Sequence, residues 1–216
     1  MDSQDWDDRY AASELVWGAE PNRWVVRELT DLAPGTDLAP RTALDLAAGE
    51  GRNAIWLATR GWDVTGLDYS AVALERAERL TAELPDEVAD RLTWRHGDAR
   101  TFESPEAGYD LVLVAYLQLP AGDRRTALRR AAEALAPGGT LLVVGHDLTN
   151  LTEGVGGPQD PAVLFTPEDV LADLEGLGLH TVRAERVHRT VGSDPGHGGG
   201  EGTAVDALVR LERGAA

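Results

Sequence analysis

The chain has 216 residues, 37 acidic against 20 basic, and a formal net charge of −17. That length fits one domain with a sizeable core, and the charge argues against nucleic acid as a substrate, because phosphates need a basic face. Cysteine and lysine are both absent, which excludes disulfides, thiolate metal sites, iron–sulfur clusters, a Cys nucleophile, a Walker A loop and a pyridoxal Schiff base.

In chain order, residues 1–32 are helical in pattern, with Pro21 at a tolerated first turn and Trp24, Val25, Leu29 and Leu32 on one face. Residues 1–8 are acidic, unlike a secretory or mitochondrial leader, and no apolar run is long enough for a bilayer, so a cytoplasmic chain without membrane contact is expected. Residues 33–40, with two prolines and a glycine, read as a linker. The chain therefore divides into an N-terminal helical lid segment, 1–40, and a core, 41–216, within one domain overall. From there strand-like and helix-like segments alternate: strands at 42–47, 63–67, 92–96, 109–115 and 140–145, helices at 52–60, 71–84 and 123–135. Ser70 is the N-cap of the second helix. Leu111, Val112, Leu113 and Val114 in a row fit a strand buried on both faces. Arg124, Arg125, Arg129 and Arg130 form a dense basic cluster on what reads as a surface helix. Residues 147–165 have no clear period and read as a long functional or mobile loop. A helix opens at 166–169 with a cap and a first-turn proline, and strands at 179–191 and 203–211 flank a Gly-rich connection. The pattern is α/β: a Rossmann-like three-layer sandwich with a largely parallel sheet of seven strands.

The chemistry concentrates at 43–53. A strand ends, a bend of small residues (Ala47, Gly49, Gly51) follows, and a helix begins, so a ligand can approach the backbone at the carboxyl end of the first strand. Gly49-x-Gly51-x-x-Ala54 also satisfies the dinucleotide fingerprint for NAD, and Asp68 at the tip of the second strand suits ribose hydroxyls in either case. Asp45 separates the two. A carboxylate inside the strand before the bend repels a pyrophosphate and favours a ligand with cationic amino and sulfonium groups. Gly97-Asp98-Ala99 after the third strand offers Asp98 to an adenine amino group.

With these motifs in place the sequence resembles the class I S-adenosylmethionine-dependent methyltransferases. The bend 45–51, Asp68, Gly97-Asp98-Ala99, Tyr109-Asp110-Leu111-Val112 and the Leu135-x-Pro137-Gly138-Gly139 habit occur in order. The segment Trp17-Gly18-x-Glu20-Pro21-Asn22-Arg23 is similar to the lid of small-molecule members related to the tellurite-resistance and thiopurine methyltransferases. Ala47 stands where the family usually has glycine. The resemblance implies a mixed sheet with an antiparallel last strand inserted between the fifth and sixth. It also implies S-adenosyl-L-methionine as cofactor, S-adenosyl-L-homocysteine as product and a small-molecule acceptor. An NAD-dependent oxidoreductase and a non-catalytic S-adenosylmethionine-binding protein are the alternatives.

On this reading Asp45, Ala47, Gly49, Gly51, Asn53, Asp68, Tyr69, Asp98, Ala99 and Ala115 surround the cofactor. Arg52 and Asn53 either cap the helix or touch the cofactor carboxylate, and Tyr69 packs on adenine or is a plain tyrosine. Tyr116, after the fourth strand, either orients a nucleophile, sits beside the sulfonium, or is a packed aromatic. His146, on the same rim, is a general base or a structural histidine. Trp17, Arg23 and Trp24 belong to the lid over the cleft, with core packing or a dimer contact as the alternative for the tryptophans. Trp56, Trp62 and Trp94 read as packing residues. No metal site is expected, because no His/Asp/Glu spacing recurs on one helix face. The acceptor and the oligomeric state, a homodimer included, are open.

Overall fold

The computed structural model describes residues 20–32, 41–106, 108–191 and 202–215. In chain order the elements are α1 (Arg23–Leu29), β1 (Thr42–Leu46), α2 (Arg52–Thr59), β2 (Asp63–Asp68), α3 (Ala71–Thr81), α4 (Asp86–Ala89) and β3 (Leu92–His96). Then come β4 (Tyr109–Ala115), α5 (Ala121–Glu133), β5 (Leu135–His146), α6 (Asn150–Glu153), α7 (Pro167–Asp173), β6 (Leu179–Val191) and β7 (Gly202–Arg213).

The seven strands form one sheet in the order β3-β2-β1-β4-β5-β7-β6. β1 runs parallel to β2 and β4, and β7 runs antiparallel to both β5 and β6, as the resemblance implies. Alternation along each strand divides the core in two. Leu44, Leu46, Val112, Val114, Leu141 and Val143 pack on one side with Ala127, Leu128 and Ala131 of α5 and Val170 of α7. Ala43, Leu111, Leu113, Leu142 and Val144 pack on the other with Trp24, Val25 and Leu29 of α1 and Ala54, Leu57 and Ala58 of α2. The result is a three-layer sandwich. Each fully buried leucine stabilises it by roughly 1.5–3 kcal/mol.

The helix starts follow from the side chains that precede them. Asn22 accepts the amides of Trp24 and Val25, Ser70 accepts that of Ala73, and Thr166 forms a capping box with Asp169 ahead of Pro167. The helix expected to reach residue 84 stops at Thr81, and the four-residue α4 follows Pro85. β5 starts at Leu135 rather than at 140. Its register with β4 slips between Tyr109 and Leu111, so Pro137-Gly138-Gly139 is a bulge inside the strand, not a turn before it.

Two expectations are corrected. The stretch 147–165 is ordered: it contains α6, a 3-10 turn at Pro161–Val163 and a bridge between Asp147 and Phe165. Asn150 fastens it to β7 by accepting the Val205 amide at 2.8 Å and donating to the Gly156 carbonyl at 2.9 Å. The arginine cluster of α5, expected on a surface helix, is partly buried. Arg124 is buried against Asp173 of α7 at 2.7 Å, and Arg125 reaches the same carboxylate at 3.0 Å. Arg129 donates to the Asp173 and Glu175 carbonyls. Because α7 packs on α5 and presents Asp173, these charges tie two helices together.

The parallel strands point their carboxyl ends to one rim. Leu46 lies beside both Leu67 and Val114, and Ala115 beside Val144. Through the antiparallel pairing His146 lies opposite Asp206, so β7 enters the sheet at that same rim.

Candidate active site

The bend after β1 uses its amides internally. Those of Ala47 and Ala48 both donate to the Leu67 carbonyl, at 2.8 and 3.0 Å, and that of Gly51 donates to the Ala48 carbonyl. The Gly49 amide donates to Asp68 Oδ2 at 2.7 Å. A pyrophosphate cradle needs such amides turned outward, and here four of them are taken. Ala47 adopts φ 67° and Gly49 φ 56°. Gly51 has a packing reason of its own. A Cβ on it would lie 2.3 Å from the Trp94 ring, and its φ is 85°. Its small size therefore also seats the bend on the indole from β3.

Acids, by contrast, are concentrated here. Asp45 is fully buried and neither carboxylate oxygen has a hydrogen-bond partner among the described residues. Burial and the neighbouring Asp68 carboxylate push its pKa up to about 7, against the opposite pull of Arg52 and the Ala54 amide. Burial also raises Asp68, although the amides of Ser70 and Gly49 donate to it. Each carboxylate oxygen offers two lone pairs, so Asp68 retains acceptor capacity. Glu50 is a different case: it is buried but joined to Arg76 at 2.7 Å. Two buried, incompletely compensated acids beside a bend with spent amides suit a cationic ligand and do not suit a phosphate.

Asn53 in the first turn of α2 accepts the Asn22 amide at 2.9 Å, linking α1 to the helix behind the bend. Tyr69, beyond Asp68, is 37% exposed, so its ring is available as a stacking surface. Asp98 is chelated by the Arg100 guanidinium, with contacts of 2.6 to 3.0 Å, and Arg100 also reaches Asp123. That pairing holds the Asp98 carboxyl below its usual range. Ala99 is buried behind it. Arg100 is a partner the sequence reading did not weigh.

The β5–β7 side of the rim holds the main surprise. Tyr116, His146 and Trp24, nominated separately, converge on Asp206 of β7, a fully buried residue the sequence reading passed over. Asp206 Oδ2 accepts from Trp24 Nε1 at 3.0 Å, from the Tyr116 hydroxyl at 2.9 Å and from Arg189 Nε at 2.8 Å. Asp206 Oδ1 faces His146 Nδ1 at 3.4 Å. Burial works to raise the Asp206 pKa, but His146, Arg189 and Trp24 outweigh it and the carboxyl is lowered. The Tyr116 phenol is pushed far up by burial and by the Asp206 charge, so it remains a donor rather than a base. Its backbone takes φ 60°, its ring meets the His146 ring edge-on at 5.0 Å, and the Arg189 guanidinium lies 5.8 Å over it.

Trp24 is thus not an exposed lid. It is buried in the core beside α2, and only its indole N–H reaches the rim. Arg23 is exposed and lies 5.5 Å over the Trp24 ring. Trp17 falls outside the described residues. Trp62 and Trp94 pack in the core as expected. No group of three or more His, Asp or Glu side chains suited to a metal occurs among the described residues. Asp206 had one legible signal: a lone acid in Ala204-Val205-Asp206-Ala207-Leu208-Val209, the same anomaly that marks Asp45.

Residues 43–139 match the family model described as a methyltransferase domain. That stretch is similar to a methyltransferase domain. The chain is 36% identical, over 118 residues, to an uncharacterized methyltransferase of Mycobacterium tuberculosis (strain H37Rv), covering 55% of this chain and 57% of that one. The chain therefore spans little more than half the length of that relative. Thiopurine S-methyltransferase of Vibrio cholerae is 29% identical over 170 residues, 73% of this chain and 75% of its own. The fold is similar to that of N-methyltransferase NodS from Bradyrhizobium japonicum, solved with S-adenosyl-L-homocysteine. The TM-score is 0.69 at 21% identity, and 99% of each chain is covered.

Proposed function

We propose that this chain binds S-adenosyl-L-methionine at the tips of β1, β2 and β3 and transfers its methyl group to a small-molecule acceptor, releasing S-adenosyl-L-homocysteine. The observation that carries the reading is the pair of buried acids, Asp45 and Asp68, beside a bend whose amides are already bonded to the protein. The bound cofactor supplies a methyl group on a cationic sulfur, open to in-line displacement.

The chain's own residues then have limited tasks. Asp45 provides negative charge near the amino and sulfonium end. Asp68 accepts the ribose hydroxyls with its remaining lone pairs, and Asn53 holds the helix start behind the bend. Tyr69 and Ala99 border the adenine, with Asp98 as acceptor for its amino group while Arg100 fixes the carboxylate plane. Ala115 ends β4 where the reacting groups meet, and Tyr116, turned by its positive φ, closes that floor. Placing the acceptor in line and excluding water supplies most of the rate. The net charge of −17 and the internal use of the α5 arginines favour a small acceptor over nucleic acid, in a cytoplasmic setting.

The test is calorimetry with S-adenosyl-L-homocysteine. Asp68→Ala removes the ribose acceptor and lowers affinity by roughly 10- to 100-fold, the loss expected for a charge-assisted hydrogen bond of about 1.5–3 kcal/mol, while the far-ultraviolet dichroism is retained. Unchanged affinity in a folded variant refutes the site.

A further inference from the structure

We propose that Asp206 is the positioning residue for a general base, His146. It holds the neutral imidazole as the Nδ1–H tautomer and leaves Nε2 to accept a proton from the acceptor's nucleophile. The proposal rests on the methyl-transfer reading.

The two oxygens of Asp206 are used unequally. Oδ2 takes three donors, from α1, the end of β4 and β6. Oδ1 has no hydrogen bond of normal length, and neither has His146 Nδ1, yet the two atoms face each other at 3.4 Å. Bonds of this kind are often long before the substrate binds and tighten in the complex. Three donors on Oδ2 prevent the carboxylate from turning, so Oδ1 is aimed at the ring. An acceptor-only carboxylate at that point is compatible with Nδ1–H and not with a bare Nδ1.

The ring is fixed from two further sides. Tyr116 meets it edge-on, and the backbone at Gly157 lies so close that a Cβ there would come within 2.8 Å of Nε2. That Cβ would be nearly as close to Cδ2 and Cε1, both at 2.9 Å, so Gly157 lies over the face of the ring rather than in line with the Nε2 lone pair. In the step this permits, the nucleophile's lone pair forms the bond to the methyl carbon. The carbon–sulfur pair leaves with sulfur as a neutral thioether, and the nucleophile's proton passes to His146 Nε2. The resulting imidazolium is stabilised by the ionised Asp206. Such a base is useful to a hydroxyl or an ammonium and unnecessary for a thiolate, so the acceptor class is one whose nucleophile carries a proton at neutral pH.

Asp206→Asn is the discriminating variant. Its amide oxygen occupies the Oδ2 position, where three donors require an acceptor, and its NH2 faces His146. That NH2 donates to Nδ1 and forces the proton to Nε2. In Ser-His-Asp sites the same exchange keeps the geometry and costs about 10⁴-fold in turnover through the wrong tautomer. Long-range proton–nitrogen NMR of the neutral ring reads this directly. The expected result is protonated Nδ1 and bare Nε2 in the wild type, reversed in Asp206→Asn. A merely structural carboxylate would leave the tautomer unmoved. Wild-type protein with its proton on Nε2, or a variant with the wild-type tautomer, overturns the proposal, and the wild-type spectrum alone decides if the variant does not fold. Calorimetry with S-adenosyl-L-homocysteine on the same wild-type sample separates the two readings. Failure to bind refutes methyl transfer, whereas binding with a protonated Nε2 refutes only the role of Asp206.

Discussion

Asp45→Asn tests the central electrostatic argument with a quantity that can be worked out in advance. In the folded protein the Asp45 carboxyl titrates at about 7, against 3.8 for an unperturbed aspartate. Between those values the native state carries one more proton than the unfolded chain, so stability falls as pH rises, by about 1.4 kcal/mol per pH unit from this group. The contribution is fully present below pH 3.8 and is lost as pH passes through 7, a total of about 4 kcal/mol. Asparagine keeps the shape and removes the proton equilibrium. The difference in unfolding free energy between variant and wild type should therefore shift in favour of the variant by up to about 4 kcal/mol from acid to neutral pH and then level off. Urea denaturation at a series of pH values, without ligand, measures it. A cationic ligand reverses the balance by favouring the ionised carboxylate. Binding of S-adenosyl-L-methionine should then release about half a proton at pH 7 and nearly a whole one at about pH 6, read by calorimetry in buffers of different ionisation enthalpy. Parallel stability curves for variant and wild type across this range would refute the reasoning.

Two further outcomes follow from geometry. Ala47 holds φ 67°, a left-handed conformation costing an L-residue roughly 1–2 kcal/mol. Ala47→Gly should stabilise the fold by about 0.5–1 kcal/mol after the extra chain entropy of glycine, seen as a rise of roughly 1–3 °C in Tm; a fall in Tm argues against strain at the bend. Asp173→Ala leaves Arg124 buried without its carboxylate and should cost about 3–5 kcal/mol in urea denaturation. A loss below about 1 kcal/mol would show that the pair contributes little to joining α5 and α7.

Much of the fold could be read from the sequence because its signals are local. The buried run Leu111 to Val114, the caps Ser70 and Thr166, and the small-residue bend each declare an element within a few residues. Order within 147–165 was hidden because its stability comes from distant partners, chiefly Asn150 bonded to Val205. The acids Asp45, Asp68 and Asp98 were legible for the same local reason, since each stands at a strand tip. The cluster around Asp206 was not. Asp206 is 60 residues from His146, 90 from Tyr116 and 182 from Trp24, and only pairing of β7 with β5 makes them neighbours. Gly51 illustrates the converse: its motif position suggested ligand access, while the side chain it packs on, Trp94, lies beyond four intervening elements.

The insertion of β7 between β5 and β6 has a consequence for biosynthesis. Among the described residues β6 is at the sheet edge and pairs only with β7, and β7 follows the other six strands. The parallel half can assemble while the ribosome is still translating, but the last two strands must wait for residues beyond 202 to emerge. Until then β5 presents an open, apolar margin, a hazard for association with other nascent chains. Asp206 is carried by β7, so its cluster with Trp24, Tyr116 and His146 cannot form before that strand joins the sheet.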